Sequence, residues 1–154
     1  MTKVTSLLPL GMKTYSEKGE RNMKLIEREE MKAVIFENNV CVVNTTPHPI
    51  TMMDAVTEEL VTVPCSGVLI NGTPETVPVG DLFVKTVFRG NEKGKEMIEK
   101  IEEAFHGEHT LVIVGSIIAT QAFPGKVAGL VPVPGFVRVA PAEKRMRTDR
   151  FTIF

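Results

Sequence analysis

Tryptophan is missing from this 154-residue chain, tyrosine occurs once, cysteine twice and histidine three times. Two cysteines with no Cys-x-x-Cys spacing form neither a thiol-redox motif nor a zinc knuckle. Cys41 and Cys65 each lie in apolar, strand-like surroundings. They are expected as free buried thiols, which suits a reducing cytoplasm. Excess charge is also missing: 18 Lys and Arg against 19 Asp and Glu give a formal net charge of −1. A chain so balanced has no global attraction for a nucleic-acid polymer or an anionic membrane. Long apolar runs are missing too. The most apolar stretch, residues 111–123, is interrupted by Gly115, Ser116, Thr120 and Gln121, and falls short of the roughly 20 residues of a membrane span. The Leu7-Leu8-Pro9-Leu10 cluster is much shorter than a signal-peptide core, so no targeting segment is expected. The phosphate-binding P-loop, the paired-glycine dinucleotide fingerprint, the metalloprotease helix and the nucleophile elbow are all absent, and no metal or cofactor is implied.

The remaining sequence predicts one domain. With 43% hydrophobic and 24% charged residues, the composition is that of an average globular protein. Residues 13–32 are dense in both signs of charge and read as a solvated helix or arm, so residues 1–32 are assigned as an N-terminal arm and 33–154 as the domain. Strands are expected near 33–36 and 40–44 about an Asn38-Asn39 turn, then at 50–54, 60–63, 68–70 and 82–88. Asn71-Gly72 adds a turn signal. Met97, Ile98, Ile101, Ala104 and Phe105 fall on one helical stripe, which predicts an amphipathic helix over 92–105, capped by Asn91 and ended by Gly107. Residues 110–114, TLVIV, fit a strand buried on both faces. A short apolar helix follows Ser116 as far as Pro124. Strand 82–88, helix 92–105 and strand 110–114 have the spacing of a parallel crossover. Prolines at 132, 134 and 141 favour edge strands and loops, with 136–139 and 151–154 as marginal strands. The expected class is α/β or α+β, with a mixed, mostly-β sheet, one parallel β-α-β crossover and two main helices.

Three places could carry chemistry. In Asn44-Thr45-Thr46-Pro47-His48-Pro49 an imidazole stands between two prolines, and residues before proline are held extended. A ligand gripped by so stiff a segment loses little chain entropy on binding. The bland alternative is a strand connector. Ser116 heads an apolar helix directly after a buried strand, with Thr120 one turn on, at the edge where α/β sheets collect ligands. An ordinary serine cap is the competing account. Arg138, within Phe136-Val137-Arg138-Val139, is read as a strand-borne guanidinium able to grip phosphate or carboxylate bidentately.

The segment Asn44-Thr45-Thr46-Pro47-His48-Pro49-Ile50 resembles the Asn-Leu-Thr-Pro-His-x-Ile signature of small phage and bacterial proteins. Similar order continues through Pro64-Cys65-Ser66-Gly67, Ser116, Ala122-Phe123-Pro124-Gly125 and Pro134-Gly135-Phe136-Val137-Arg138. Thr45 stands where leucine is usual, and the helix at 92–105 is extra. The resemblance implies phage or mobile-element origin and carries no established activity.

Together these features predict a cytoplasmic binding protein for a small phosphate-bearing, nucleotide-like anion, such as a nucleotide-derived immune signal held in sequestration. Its ligand-binding set would be Asn44, Thr45, Thr46, His48, Ser116, Thr120 and Arg138. An alternative is a phosphodiesterase or glycosidic hydrolase with His48 as general acid or base. Another is a protein-interaction or virion-associated module. Self-association is left open.

Overall fold

The computed structural model describes residues 23–54 and 56–154; most of the expected N-terminal arm lies outside the described residues. In chain order the elements are β1 (Lys24–Arg28), β2 (Met31–Ile35), β3 (Val40–Asn44), β4 (Ile50–Met53), β5 (Leu60–Val63), β6 (Thr73–Val79) and β7 (Phe83–Arg89). Then come α1 (Glu92–Ala104), β8 (Thr110–Val114), α2 (Ile117–Ala122), β9 (Val127–Pro132), a 3-10 turn at Pro141–Glu143, and β10 (Met146–Thr152). The fold is mixed α/β and mostly sheet. No helix among the described residues is long and apolar enough to cross a membrane.

Eight strands form one sheet in the order β1-β2-β3-β8-β9-β10-β4-β5, and β6 and β7 form a separate hairpin. The centre of the large sheet is parallel: β3 pairs with β8, and β8 with β9. A parallel pair needs a connection of a dozen or so residues, which α2 and its flanking turns supply between β8 and β9. Strands so placed are covered on both faces, and the VCVV of β3 and VIV of β8 show why they read as unbroken apolar runs. Cys41, Val43 and Ile113 face one cluster, with Ile98, Ile101 and Phe105 of α1. Val42 and Val114 face the other, with Ile50, Met52, Val61 and Val63 from the far end of the sheet. The second cluster is the inside of a curl, because β4 and β5 come round to cover β2 and β3.

Several elements match the sequence closely. Strands β2 to β5 fall where expected, and Asn39, with φ +67, makes the turn between β2 and β3. Asn91 caps α1, its side chain accepting from the Gly94 N–H at 2.7 Å. Ile98, Ile101 and Phe105 are buried on the predicted stripe.

Other expectations are corrected. Residues 24–28 and 31–32 are strand, not helix or arm; the outward Lys24 and Glu27 of an edge strand carry the charge that suggested solvent. Residues 68–71 form neither a strand nor a hairpin turn, because Ile70 turns inward as a core anchor. The strand at 82–88 does not pair with 110–114; β7 pairs antiparallel with β6, whose Pro74 and Pro78 had hidden it from sequence reading. Residues 127–132 form an interior strand, tolerated because Pro132 comes last. Phe136 is irregular and Val137 to Val139 are turn and bend, not strand, set off by Gly135 at φ +94. Gly107 is not the glycine terminator of α1. The helix is closed by the Phe105 N–H on the Ile101 carbonyl, and Arg28 reaches from β1 to the Ala104 and His106 carbonyls, both at 3.2 Å. The same guanidinium lies 5.9 Å from the Phe105 ring centre.

Burial pushes the Cys41 thiol up to about 12, a nearby Arg28 opposing it weakly. The folded state therefore keeps its proton at pH values where the unfolded thiol has lost it. Stability contributed this way is intact below the ordinary thiol range and declines as pH rises through it, by at most about 1.4 kcal/mol per pH unit. Urea unfolding between pH 7 and 11 is expected to show this decline in the parent and a flatter profile in Cys41→Ala. Arg28→Ala is expected to lose about 1–2 kcal/mol in the same measurement, through the two carbonyls and the aromatic face it leaves.

Candidate functional site

The PHP loop owes its shape to Asn44, the last residue of β3. By strand alternation its side chain enters the inside of the curl, where it is 0% exposed. A buried amide must find partners for both ends. Its Oδ1 accepts the Thr46 N–H at 2.9 Å and lies 2.7 Å from the Thr46 hydroxyl. Its Nδ2 donates to the His48 carbonyl at 2.8 Å and reaches the Val63 carbonyl of β5 at 3.4 Å. The Thr46 hydroxyl is also 3.0 Å from the His48 carbonyl, so its one hydrogen can go to either acceptor.

The main chain of Asn44 adds a third tie. Its carbonyl accepts the Ser66 N–H at 2.9 Å, and the Ser66 carbonyl accepts from Lys32 of β2 at 3.1 Å. One residue thus joins the end of β3, the PHP turn and the chain leaving β5. Pro47, His48 and Pro49 stand exposed on this frame. The His48 backbone is held from inside while its ring faces outward.

Thr45 points to the opposite face of the sheet. Its N–H and its hydroxyl both donate to the Val114 carbonyl, at 2.8 and 2.7 Å, and its own carbonyl accepts from Ile70. Gly115 follows Val114, and a Cβ there would lie 2.6 Å from Val127 and 3.2 Å from the Thr45 hydroxyl. Only glycine lets β3, β8 and the start of α2 approach so closely. Ser116 caps α2, accepting the Ala119 N–H at 3.1 Å, and the buried Thr120 hydroxyl donates back to the Ile117 carbonyl at 2.7 Å.

The seven candidate residues thus divide. Asn44, Thr45 and Thr120 are buried, with polar groups engaged inside the protein, and they position neighbours. Ser116 is half-buried and serves as a cap. His48 presents its ring to solvent, and Thr46 is half-buried beside it. Arg138 is exposed, but on the turn between β9 and β10 rather than on a strand. No hydrogen bond among the described residues joins it to the PHP loop or to α2.

The β9–β10 connection lies at the same end of the sheet as the PHP loop. β10 runs parallel to β4 with Met146 opposite Met52 and Arg147 opposite Met53, so both strands are entered from the same end of the sheet. The loops preceding these positions leave the sheet at one edge. Between residues 133 and 145 there are three cations, Arg138, Lys144 and Arg145, and one acid, Glu143. Lys144 is anchored on the Val137 carbonyl at 3.2 Å, and Arg145 lies 5.7 Å from the Phe136 ring centre. Of these three cations the sequence singles out only Arg138; Lys144 and Arg145 are not among its candidates. The signal that finds them is the parallel pairing of β4 with β10. No group of three or more His, Cys, Asp or Glu among the described residues is placed to hold a metal ion. No protein-family model, curated protein or solved structure matches the chain, so the chemistry of the site rests on its own geometry.

Removing the amide should expose what it holds. Asn44→Ala leaves a buried carbonyl and N–H without partners and is expected to cost about 2–4 kcal/mol in urea unfolding. Thr45→Val, which loses one hydroxyl bond, should cost about 1 kcal/mol.

Proposed function

We propose that the protein binds a small phosphate-bearing, nucleotide-like anion at the sheet edge between the PHP loop and the β9–β10 connection. The observation that carries this reading is an exposed imidazole on an internally clamped backbone, at the edge shared by a loop holding three cations and one acid. Such a frame loses little conformational entropy when a ligand docks. Guanidinium and ammonium groups are the usual partners of phosphate oxygens. His48, Lys144, Arg145 and Arg138 would contact the anion, while Asn44, Thr45, Ser116 and Thr120 keep the loops in place. A protein of this kind returns its ligand unchanged, the mode suited to sequestering a nucleotide-derived signal.

The test is incubation with a mixture of nucleotides and cyclic nucleotides, followed by mass spectrometry of the bound and the remaining species. The expected result is one retained compound, recovered intact and raising the melting temperature. A paired Lys144→Glu, Arg145→Glu variant should bind at least tenfold more weakly, and His48→Ala should weaken binding without altering the fold. Recovery of a cleaved product would favour hydrolysis by His48, and retention of no anion would refute the proposal.

A further inference from the structure

Among the described residues, no element covers the β6–β7 hairpin beyond its root, where α2 packs against β7. The hairpin leaves the body at Gly72, where a Cβ would meet Ala122 of α2 at 2.6 Å, and returns at Arg89, with Val87 and Phe88 half-buried at its root. Beyond the root every residue except Val77 is exposed. At the tip Leu82, Phe83 and Val84 are 81%, 67% and 66% exposed. A lone two-stranded ribbon is marginal in water and is ordinarily stabilised by further strands or a covering layer. Apolar side chains concentrated on a projecting element mark a surface that meets something.

The two edges of the ribbon differ. Pro74 and Pro78 have no N–H to give the ladder, so the alternate residues Pro74, Thr76 and Pro78 turn their nitrogens outward. That leaves Thr76 as the single donor among these three, a blunted edge. Across the ladder their partners are Phe88, Thr86 and Val84. On β7 these three point both N–H and C=O outward, and among the described residues none of the backbone hydrogen bonds between elements uses them. One edge is closed and the other is open.

We infer that the open edge of β7 pairs antiparallel with β7 of a second copy of this chain, making a four-stranded sheet about a two-fold axis at Thr86. An antiparallel pair of identical strands is self-complementary, as a closed dimer requires. Centring on Thr86 overlaps the whole strand. Val84 then lies opposite Phe88 of the second copy, Lys85 opposite Val87 and Phe83 opposite Arg89. No like charges stand directly opposite, and the ribbon, with Glu75, Asp81, Lys85 and Arg89, is neutral. The tip of each arm also reaches the root of the other, where α2 leaves Ile117 and Ile118 57% and 38% exposed. Six side chains, Val79, Leu82, Phe83, Val84, Ile117 and Ile118, at roughly 100 Å² each, supply on the order of 600 Å² of apolar surface per chain. Two copies reach about 1,200 Å², the lower bound of a standard stable interface.

Sedimentation of the whole chain over a concentration series should give a two-chain species. Thr86→Pro removes the central outward donor in the manner already tolerated at Pro74 and Pro78, and should give a monomer with unchanged circular dichroism. Phe83→Glu, fully on the surface of the arm, should do the same if the proline disturbs folding. In a Cys65→Ser background, Thr86→Cys sits on the axis, where paired Cα atoms come within about 5.5 Å, and should form a disulfide-linked dimer under mild oxidation. Thr76→Cys, on the blunted edge, should not. A monomer at every concentration, a dimer that survives both Thr86→Pro and Phe83→Glu, or equal cross-linking at positions 76 and 86 would overturn the inference.

Discussion

A single buried amide sets the geometry on which the molecule's candidate chemistry depends. Asn44 ends the third strand of an eight-stranded sheet, and its side chain reaches the Val63 carbonyl on the eighth. Its other contacts fold Thr46 and His48 into a tight turn. Apolar packing alone would bring β5 near β2 and β3, because Val34, Val42, Ile50, Met52, Val61 and Val63 share one cluster. Such packing is weakly directional, however. Hydrogen bonds to a wholly buried amide are directional, and a lost partner is costly. Asn44 thus converts a general collapse into one defined curl, and the PHP loop inherits its position from that curl.

The parallel centre explains why polar groups gather where they do. β3 and β8 end side by side at Asn44 and Val114, and their unpaired carboxyl-end groups need partners. Thr45 answers the Val114 carbonyl, Ser66 answers the Asn44 carbonyl, and Gly115 donates to Ala128. The polar residues that first attract notice are therefore mostly occupied in ending strands. Of the proposed contact residues, His48 and Arg138 are exposed, while Lys144 and Arg145 are half-buried, one held on the Val137 carbonyl and the other against the Phe136 ring. The same division runs through the rest of the chain: the α1 face of the sheet is sealed, and the β6–β7 ribbon stands outside both clusters.

How much of this could be read from the residues varies with how local the cause is. The stripe from Met97 to Phe105, the Asn91 cap, the Asn39 turn and the apolar β3 and β8 are decided by nearest neighbours, and all were visible. The strand β1 was not, because its charged outer positions mimic a solvated helix and its pairing with β2 is what makes it a strand. Pro74 and Pro78 hid β6, though proline is compatible with an outward-facing edge position. The internal hydrogen bonds of Asn44 and Thr45 were not legible for a related reason. Their residue types signal hydrogen bonding, but whether the partner is a ligand or a neighbouring strand depends on which carbonyls the tertiary fold brings within 3 Å. Lys144 and Arg145 came into view only because the parallel pairing of β10 with β4 brings the chain before β10 to the same end of the sheet as the PHP loop.

The amide clamp is tested most directly by native-state hydrogen exchange at the Thr46 N–H. It sits on a half-buried loop residue beside exposed Pro47, outside every strand, and its acceptor is the Asn44 side chain. If that contact belongs to the cooperative core, Thr46 should exchange as slowly as amides in the middle of β3, through global unfolding. Exchange as fast as that of the exposed Val56 turn would mean that the loop opens independently, and that Asn44 does not hold it.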